Sequence, residues 1–140
     1  MNKSDYESAG IIRVRYAECD AQGIVFNAHY LTYFDVAVTE YFRLKGHDYI
    51  PFVRESGLDF HVVRSLIDYK SPARFDDEVE LLVRGEFKGP RLFWNIALLR
   101  GDDLLCSGEL TYAVVKADTG RVTRIDEKFA LSLGLAPRSS

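Results

Sequence analysis

The sequence predicts an α+β fold in which one long helix packs against a curved antiparallel sheet. One segment, residues 28–45, repeats its apolar side chains at three- and four-residue steps, which is the period of a helix. The segments after it alternate apolar and polar residues, as strands do, and short turns separate them. Such short connections join antiparallel neighbours, and a helix laid on the resulting sheet buries the apolar face of each.

Composition and charge are those of one soluble globular domain, which we expect to span residues 1–140. Apolar residues make up 47% of the chain and charged residues 28%, and 140 residues suffice to bury a sizeable core. The net charge of -3 gives no reason to expect a nucleic acid or an anionic membrane as partner. No apolar run has the length of a membrane span or of a signal peptide, so a cytoplasmic location is predicted.

The first predicted elements are a strand and the long helix. Residues 11–19 alternate as a strand does, and Gly23 interrupts the pattern before the helix begins. The helix ends at Gly46, which can adopt the left-handed conformation of a C-terminal cap. The apolar face of the helix consists of Tyr30, Leu31, Phe34, Ala37, Val38, Tyr41 and Phe42.

The rest of the chain is predicted to form mainly strands. Residues 47–56 are expected to be a short helical turn or a loop, because Pro51 limits their regularity. Asp126 can cap a last short helix over residues 127–133, and residues 136–140 are expected to be loose. Strands are predicted at residues 60–69, 78–87, 92–100, 104–116 and 121–125.

Asp20, in the segment AECDAQGIVFNAHYLTYFD, is the first candidate for chemistry. In the simplest interpretation Asp20 and Gly23 form a turn, and the carboxylate accepts hydrogen bonds from free backbone amides. Alternatively, the carboxylate acts on a ligand that is held by those amides. A helix N-terminus offers unpaired N–H groups that can bind an oxyanion, so the two features together would make a hydrolytic site. The residues alone leave both interpretations open.

Other polar residues are weaker candidates. Glu18 would share a face with Asp20 on an extended chain, but pairing elsewhere or solvation is the simpler expectation. The three histidines stand at no metal-ligand spacing, so no metal site is expected, and His29 falls in the first turn of the helix. Cys19 and Cys106 are far apart in the sequence, and reduced thiols are expected.

Aromatic and basic residues near these positions could bind a ligand. Phe26 and Tyr30 have the character of core residues, but they could also line an acyl or aryl cavity. Because the whole chain is slightly acidic, the phosphates of a ligand would have to meet a local cluster of cations. The cations that cluster are Lys70 and Arg74, Lys88 and Arg91, and Arg121 and Arg124.

The segment VRYAECDAQGIVFNAHYLTYFDVAVTEYFR resembles the signature of the 4-hydroxybenzoyl-CoA thioesterase family, small acyl-CoA hydrolases with the hot-dog fold. A later segment, YKSPARFDDEVEL, is similar to the part of the family in which a strand passes through Pro-Ala into an acidic turn. The resemblance covers nearly the whole chain. The signature runs in order through Glu18, Asp20, Gly23, Ile24, Val25, Tyr30, Leu31, Tyr33 and Phe34.

The resemblance implies a reaction and a set of site residues. The carboxylate of Asp20 would cleave the thioester of an acyl-CoA, as nucleophile or as general base, and the motif includes Gly23. The backbone amide of Asn27 would polarise the thioester carbonyl; many relatives carry His or Tyr at this position, so the side chain has no family role here. The site would lie between two subunits of a homodimer or homotetramer, with CoA phosphates on surface Lys and Arg and without a cofactor.

Two other functions fit the same residues. A small α+β isomerase could use Asp20 as its base, although such folds usually begin with helices and a strand comes first here. A hot-dog module could also bind acyl-CoA without cleaving it. Hydrolysis would release a free thiol, and neither alternative would do so.

Overall fold

The computed structural model describes residues 1–139, which contain one sheet and three α-helices. The strands are β1 (Glu7–Arg13), β2 (Leu58–Tyr69), β3 (Glu78–Lys88), β4 (Arg91–Arg100), β5 (Asp103–Lys116) and β6 (Ala136–Pro137). The helices are α1 (His29–Leu44), α2 (Tyr49–Ser56) and α3 (Glu127–Ser132), and 3₁₀ turns lie at Lys3–Asp5 and Tyr16–Glu18.

The sheet has the spatial order β1-β3-β4-β5-β2, and all neighbours in this series are antiparallel. Two tight hairpins join β3 to β4 and β4 to β5, because only Gly89-Pro90 and Gly101-Asp102 separate these strands. The short β6 pairs in parallel with β3, and β2 lies at the edge beside β5. The α+β class and the antiparallel pairing are therefore confirmed.

Helix α1 packs its apolar face against the sheet, as its spacing predicts. Trp94 of β4 meets Tyr41 and Phe42 of the helix edge-on, with ring centroids 5.2 and 5.7 Å apart. Leu31, which was expected on this face, is 38% exposed because it lies at the margin of the apolar stripe. It remains a prediction that α1 is a single central helix around which the sheet curves. No helix within residues 1–139 is both long and apolar enough to cross a membrane. The buried side chains of the helix are Tyr30, Tyr33, Phe34, Ala37, Val38, Tyr41 and Phe42.

Gly108 in β5 lets the sheet approach α1 closely. A Cβ atom at this position would lie 2.0 Å from the carbonyl oxygen of Leu66 and 2.8 Å from Cε2 of Phe34. Atoms cannot approach to these distances, so only glycine fits between β2 and the helix here.

The first strand lies earlier than predicted. It covers Glu7–Arg13, not residues 11–19, because the chain leaves the sheet at Val14. The N–H of Val14 donates to the carbonyl of Asp77, at 2.9 Å, in the loop that precedes β3. The next residues then form the 3₁₀ turn Tyr16–Glu18.

Three later predictions also differ from the structure. Residues 47–56 include a regular helix, since Pro51 lies in the first turn of α2, where its missing N–H breaks no intrahelical bond. Residues 121–125 contribute a single β-bridge to β5 and not a strand. Residues 136–137, expected to be loose, form β6 against β3.

Two loops run side by side at one end of the sheet and position the site. The first loop, residues 14–28, joins β1 to α1, and the second loop, residues 70–77, joins β2 to β3. The N–H of Val25 donates to the carbonyl of Ala73, at 2.9 Å, and a β-bridge lies beside this bond. Main-chain hydrogen bonds therefore fix the two loops to each other.

Candidate active site

Asp20 lies in a tight turn of the first loop. Its carbonyl oxygen accepts a hydrogen bond of 3.0 Å from the N–H of Gly23, and its Oδ1 accepts one of 2.8 Å from the N–H of Gln22. Gly23 completes the turn with a φ of +77°, which glycine adopts without strain. The carboxylate therefore does stabilise its own turn. Its second oxygen, Oδ2, accepts no hydrogen bond from residues 1–139.

At the start of α1, two backbone N–H groups have no acceptor among residues 1–139. The N–H of His29 donates to the carbonyl of Phe26 at 2.9 Å, and the N–H of Tyr30 donates to the carbonyl of Asn27 at 3.3 Å. Within the part of the chain that the structure describes, the N–H groups of Asn27 and Ala28 donate to no acceptor. Unpaired N–H groups at a helix start carry partial positive charge and can bind an oxyanion.

A cavity of about 690 Å³ opens where the turn, the helix start and the second loop meet. Asp20 and Asn27 both line this cavity. A carboxylate beside unpaired N–H groups can attack a carbonyl carbon or activate water, while the N–H groups stabilise the negative carbonyl oxygen. Other lining residues are Ile24, Val25, Phe26, Tyr30, Tyr69 and Lys70.

Two tyrosines hold the walls of this cavity together. The hydroxyl of Tyr30 accepts a hydrogen bond of 3.0 Å from the N–H of Ala73, and burial raises the pKa of this hydroxyl. The hydroxyl of Tyr69 donates to the carbonyl of Asn27 at 3.3 Å. The two rings meet edge to face, with centroids 5.3 Å apart. Sequence reasoning missed Tyr69, which its position at the end of β2, just before the second loop, could have indicated.

The residues predicted to bind substrate, and Gly23 of the predicted catalytic set, are only partly brought together. Phe26, Tyr30 and Lys70 line the cavity. Gly23 lines a neighbouring cavity of about 490 Å³, to which Asp20 also contributes. The turn thus separates two cavities, with Asp20 bordering both.

The other predicted cations lie outside this cavity in one copy of the chain. Arg74 is exposed on the second loop and does not line the cavity. Lys88 and Arg91 pair at the β3–β4 hairpin, at one end of β4. Arg100, at the other end, donates to the carbonyl of Pro72 beside the cavity, at 3.2 Å. The 10 residues of β4 extend about 30 Å, so one chain does not bring Lys88 and Arg91 to Asp20.

Glu18 is paired away from Asp20, as the simpler expectation predicts. It ends the 3₁₀ turn, is only 7% exposed, and accepts hydrogen bonds from Arg15 and from the hydroxyl of Tyr33. Burial by itself would raise the pKa of Glu18. The hydrogen bonds from Arg15 and Tyr33 outweigh burial and hold this pKa below its ordinary value, so the carboxylate is ionised at neutral pH.

The thiols and histidines form no reactive cluster within residues 1–139. Cys19 and Cys106 are both free, and burial raises the pKa of Cys106 to about 12, which keeps that thiol protonated. His29 packs edge-on to Phe26, with ring centroids 6.1 Å apart. No three His, Cys, Asp or Glu side chains of the described residues lie together as metal ligands would.

Comparisons with solved structures show the hot-dog fold. The chain superposes on a DHNA-CoA thioesterase from Staphylococcus aureus with a TM-score of 0.80 and 22% identity, covering 92% of this chain and 89% of that one. At this identity the likeness concerns the fold alone.

Sequence comparisons identify the family. A protein from Aquifex aeolicus is 39% identical over 69 residues, which are 49% of this chain and 53% of that protein, so the match spans only about half of that relative. The acyl-CoA thioesterase YbgC of Haemophilus influenzae is 34% identical over 113 residues, which are 79% of this chain and 81% of that protein. The pattern of the Thioesterase superfamily matches residues 22–107, more than half of the chain. This protein therefore belongs to the thioesterase superfamily.

Proposed function

We propose that this protein hydrolyses an acyl-CoA thioester to a free acid and coenzyme A. The observation that carries the proposal is a cavity lined by both Asp20 and Asn27, at a helix start where two N–H groups have no acceptor within residues 1–139. Membership of the thioesterase superfamily supports thioester hydrolysis, and the Haemophilus relative, named as an acyl-CoA thioesterase, supports the substrate class.

In this proposal the thioester carbonyl oxygen lies against the N–H groups of Asn27 and Ala28. Negative charge develops on that oxygen in the transition state, and the helix start stabilises it. Asp20 then acts in one of two ways. As nucleophile, it forms a bond to the carbonyl carbon, the thiolate of coenzyme A leaves, and water hydrolyses the resulting anhydride. As general base, it takes a proton from the attacking water and returns a proton to the departing sulfur.

The cavity walls suit an aromatic or a medium-chain acyl group. Phe26, Tyr30 and Tyr69 provide apolar aromatic surface. A benzoyl group would pack against these rings, and a medium-chain acyl group would use the same surface equally well. Lys70 provides a positive charge on the same wall and would meet a phosphate of coenzyme A.

A second copy of the chain would complete the site. Strand β2 lies at the edge of the sheet and exposes Val62, Val63 and Leu66, by 51, 54 and 45% respectively. An unpaired edge with exposed apolar side chains favours association with another chain. A homodimer or homotetramer with sites between subunits would bring the cations of one copy, such as Lys88 and Arg91, towards the coenzyme A held by another.

Release of free thiol from acyl-CoA tests the reaction. The substrates should cover short, medium, long and aryl acyl groups. Asp20→Asn is expected to stay folded, because the amide oxygen can still accept the N–H of Gln22, and to lose about 10²- to 10⁴-fold in turnover. Asp118→Asn, in an exposed turn beyond β5, is the matched control and should keep its turnover. A folded Asp20→Asn enzyme with normal turnover would refute the assignment.

The same substrates separate the two alternative functions. A non-catalytic module would bind acyl-CoA and rise in melting temperature without releasing thiol. An isomerase that uses Asp20 as base would convert its substrate, again without thiol release. Thiol release that depends on Asp20 supports neither alternative.

A further inference from the structure

Glu18 carries a buried carboxylate for which the proposed reaction has no use. It is 7% exposed and does not line the cavity of Asp20 and Asn27. Oε1 accepts hydrogen bonds from the N–H of Arg15 at 2.8 Å and from the hydroxyl of Tyr33 at 2.9 Å. Oε2 accepts two from the guanidinium of Arg15, at 2.9 and 3.1 Å. Four donors from the chain itself therefore satisfy this carboxylate.

The backbone of Glu18 closes the turn that carries Asp20. Its carbonyl oxygen accepts a hydrogen bond of 2.9 Å from the N–H of Phe26. The next residues into the turn, Cys19 and Val25, form a β-bridge. Asp20 is two residues after Glu18, and Asn27 directly follows Phe26. Both ends of the turn, and thus both candidate catalytic groups, are anchored at Glu18.

Tyr33 links this anchor to α1. It is 2% exposed and lies on the helix whose start holds Asn27. Its hydroxyl donates to the carboxylate of Glu18, so the turn is fixed to the helix by a side chain as well as by the main chain.

We propose that Glu18 is a positioning residue that, through Tyr33 and Arg15, holds Asp20 at a fixed distance from the N–H groups at the start of α1. This inference rests on the proposed catalytic role of Asp20. Removing a carboxylate from water is costly unless it is fully paired, and the four donors that pair this one also fix it in a single orientation between Arg15 and Tyr33. Reacting groups must be held within a fraction of an ångström, which four hydrogen bonds to one carboxylate can achieve.

The first test removes one hydroxyl and keeps the ring. Tyr33→Phe should lower kcat about tenfold and leave KM within about twofold, because displacing the attacking group affects the transition state and not substrate binding. Tyr41→Phe is the matched control. Tyr41 lies on the same helix, is also 2% exposed, and donates its hydroxyl to the carbonyl of Leu133 at 2.8 Å, away from the cavity. An equal loss of kcat in both variants would overturn the proposal.

The second test combines Tyr33→Phe with Asp20→Asn. If Tyr33 acts through Asp20, its removal should leave the residual rate of Asp20→Asn unchanged within about twofold. If the two losses multiply, the hydroxyl acts independently of Asp20 and the proposal fails.

The third test needs no activity and separates this proposal from the proposed function. Hydrogen exchange at the N–H of Phe26 should become about tenfold or more faster in Tyr33→Phe and stay near the parent rate in Tyr41→Phe. Unchanged exchange in Tyr33→Phe would overturn the positioning role of Glu18, whatever Asp20 does. Faster exchange with a fully active Asp20→Asn would instead refute the role of Asp20 and leave the anchoring of the turn intact.

Discussion

The hydroxyl of Tyr30 accepts a hydrogen bond of 3.0 Å from the N–H of Ala73, so one side chain of α1 fixes the second loop to the helix beside the cavity. Tyr30→Phe leaves this N–H, on a residue that is 1% exposed, without an acceptor. The free energy of unfolding should fall by about 1–3 kcal/mol, as measured by chemical denaturation.

The control for this change is Tyr112→Phe. Tyr112 is 7% exposed, and its hydroxyl makes no hydrogen bond to residues 1–139. Tyr112→Phe should lower the free energy of unfolding by clearly less than Tyr30→Phe does. Equal costs would show that the bond to Ala73 adds nothing to stability.

Substitutions at Asn27 should distinguish a backbone role from a side-chain role. Asn27→Ala keeps the N–H and should leave turnover within a fewfold of the parent. Asn27→Pro removes the N–H, which donates to no acceptor in the described part of the chain, and should lower turnover by about 10²- to 10³-fold. Thiol release gives the rate, and circular dichroism checks that both variants fold. Equal activity of the two variants would remove Asn27 from the oxyanion site.

Lys70 should contribute to binding and not to chemistry. Lys70→Ala is expected to raise KM about two- to tenfold with little change in kcat, because an exposed charge holds a remote phosphate only weakly. Lys128→Ala, an exposed change on α3, is the control. Arg91→Ala should raise KM only if subunits associate, so light scattering should accompany the kinetics. If Lys70→Ala lowered kcat by as large a factor as it raised KM, that result would contradict a binding role.

Acid should weaken the contribution of Glu18 to stability. Because its hydrogen bonds hold the pKa of Glu18 below the ordinary value of 4.5, its stabilisation is complete above that value and is lost as the pH falls through the lower folded value. Glu18→Gln cannot ionise. The difference in free energy of unfolding between parent and Glu18→Gln should therefore be larger at about pH 7 than at about pH 3. Other carboxyl groups affect both proteins alike, and a difference independent of pH would contradict this account.

The sequence predicted those features that depend on neighbouring residues. The apolar spacing of α1 is local, and Gly46 ends the helix with a φ of +88°, as expected. Asp126 caps the last helix by accepting a hydrogen bond from the N–H of Phe129, at 3.3 Å. The turn at Asp20 and Gly23 was also predicted, because both residues favour turns in any protein.

Features set by distant residues could not be predicted in this way. β1 ends where Val14 meets Asp77, a residue far along the chain. The place of Tyr69 on the cavity wall depends on the register of β2, which local alternation does not determine. In the proposed assembly, the reach of Lys88 and Arg91 towards a ligand is set by contacts between copies, which the local spacing of residues does not determine.

The hydrogen bond between Val25 and Ala73 joins two stretches that are distant in sequence into one interlocked unit. A chimera that borrows only the first loop from a relative would lose the geometry of this junction, even if every catalytic side chain were kept. To change the acyl preference, an engineer would therefore have to exchange the first and second loops together.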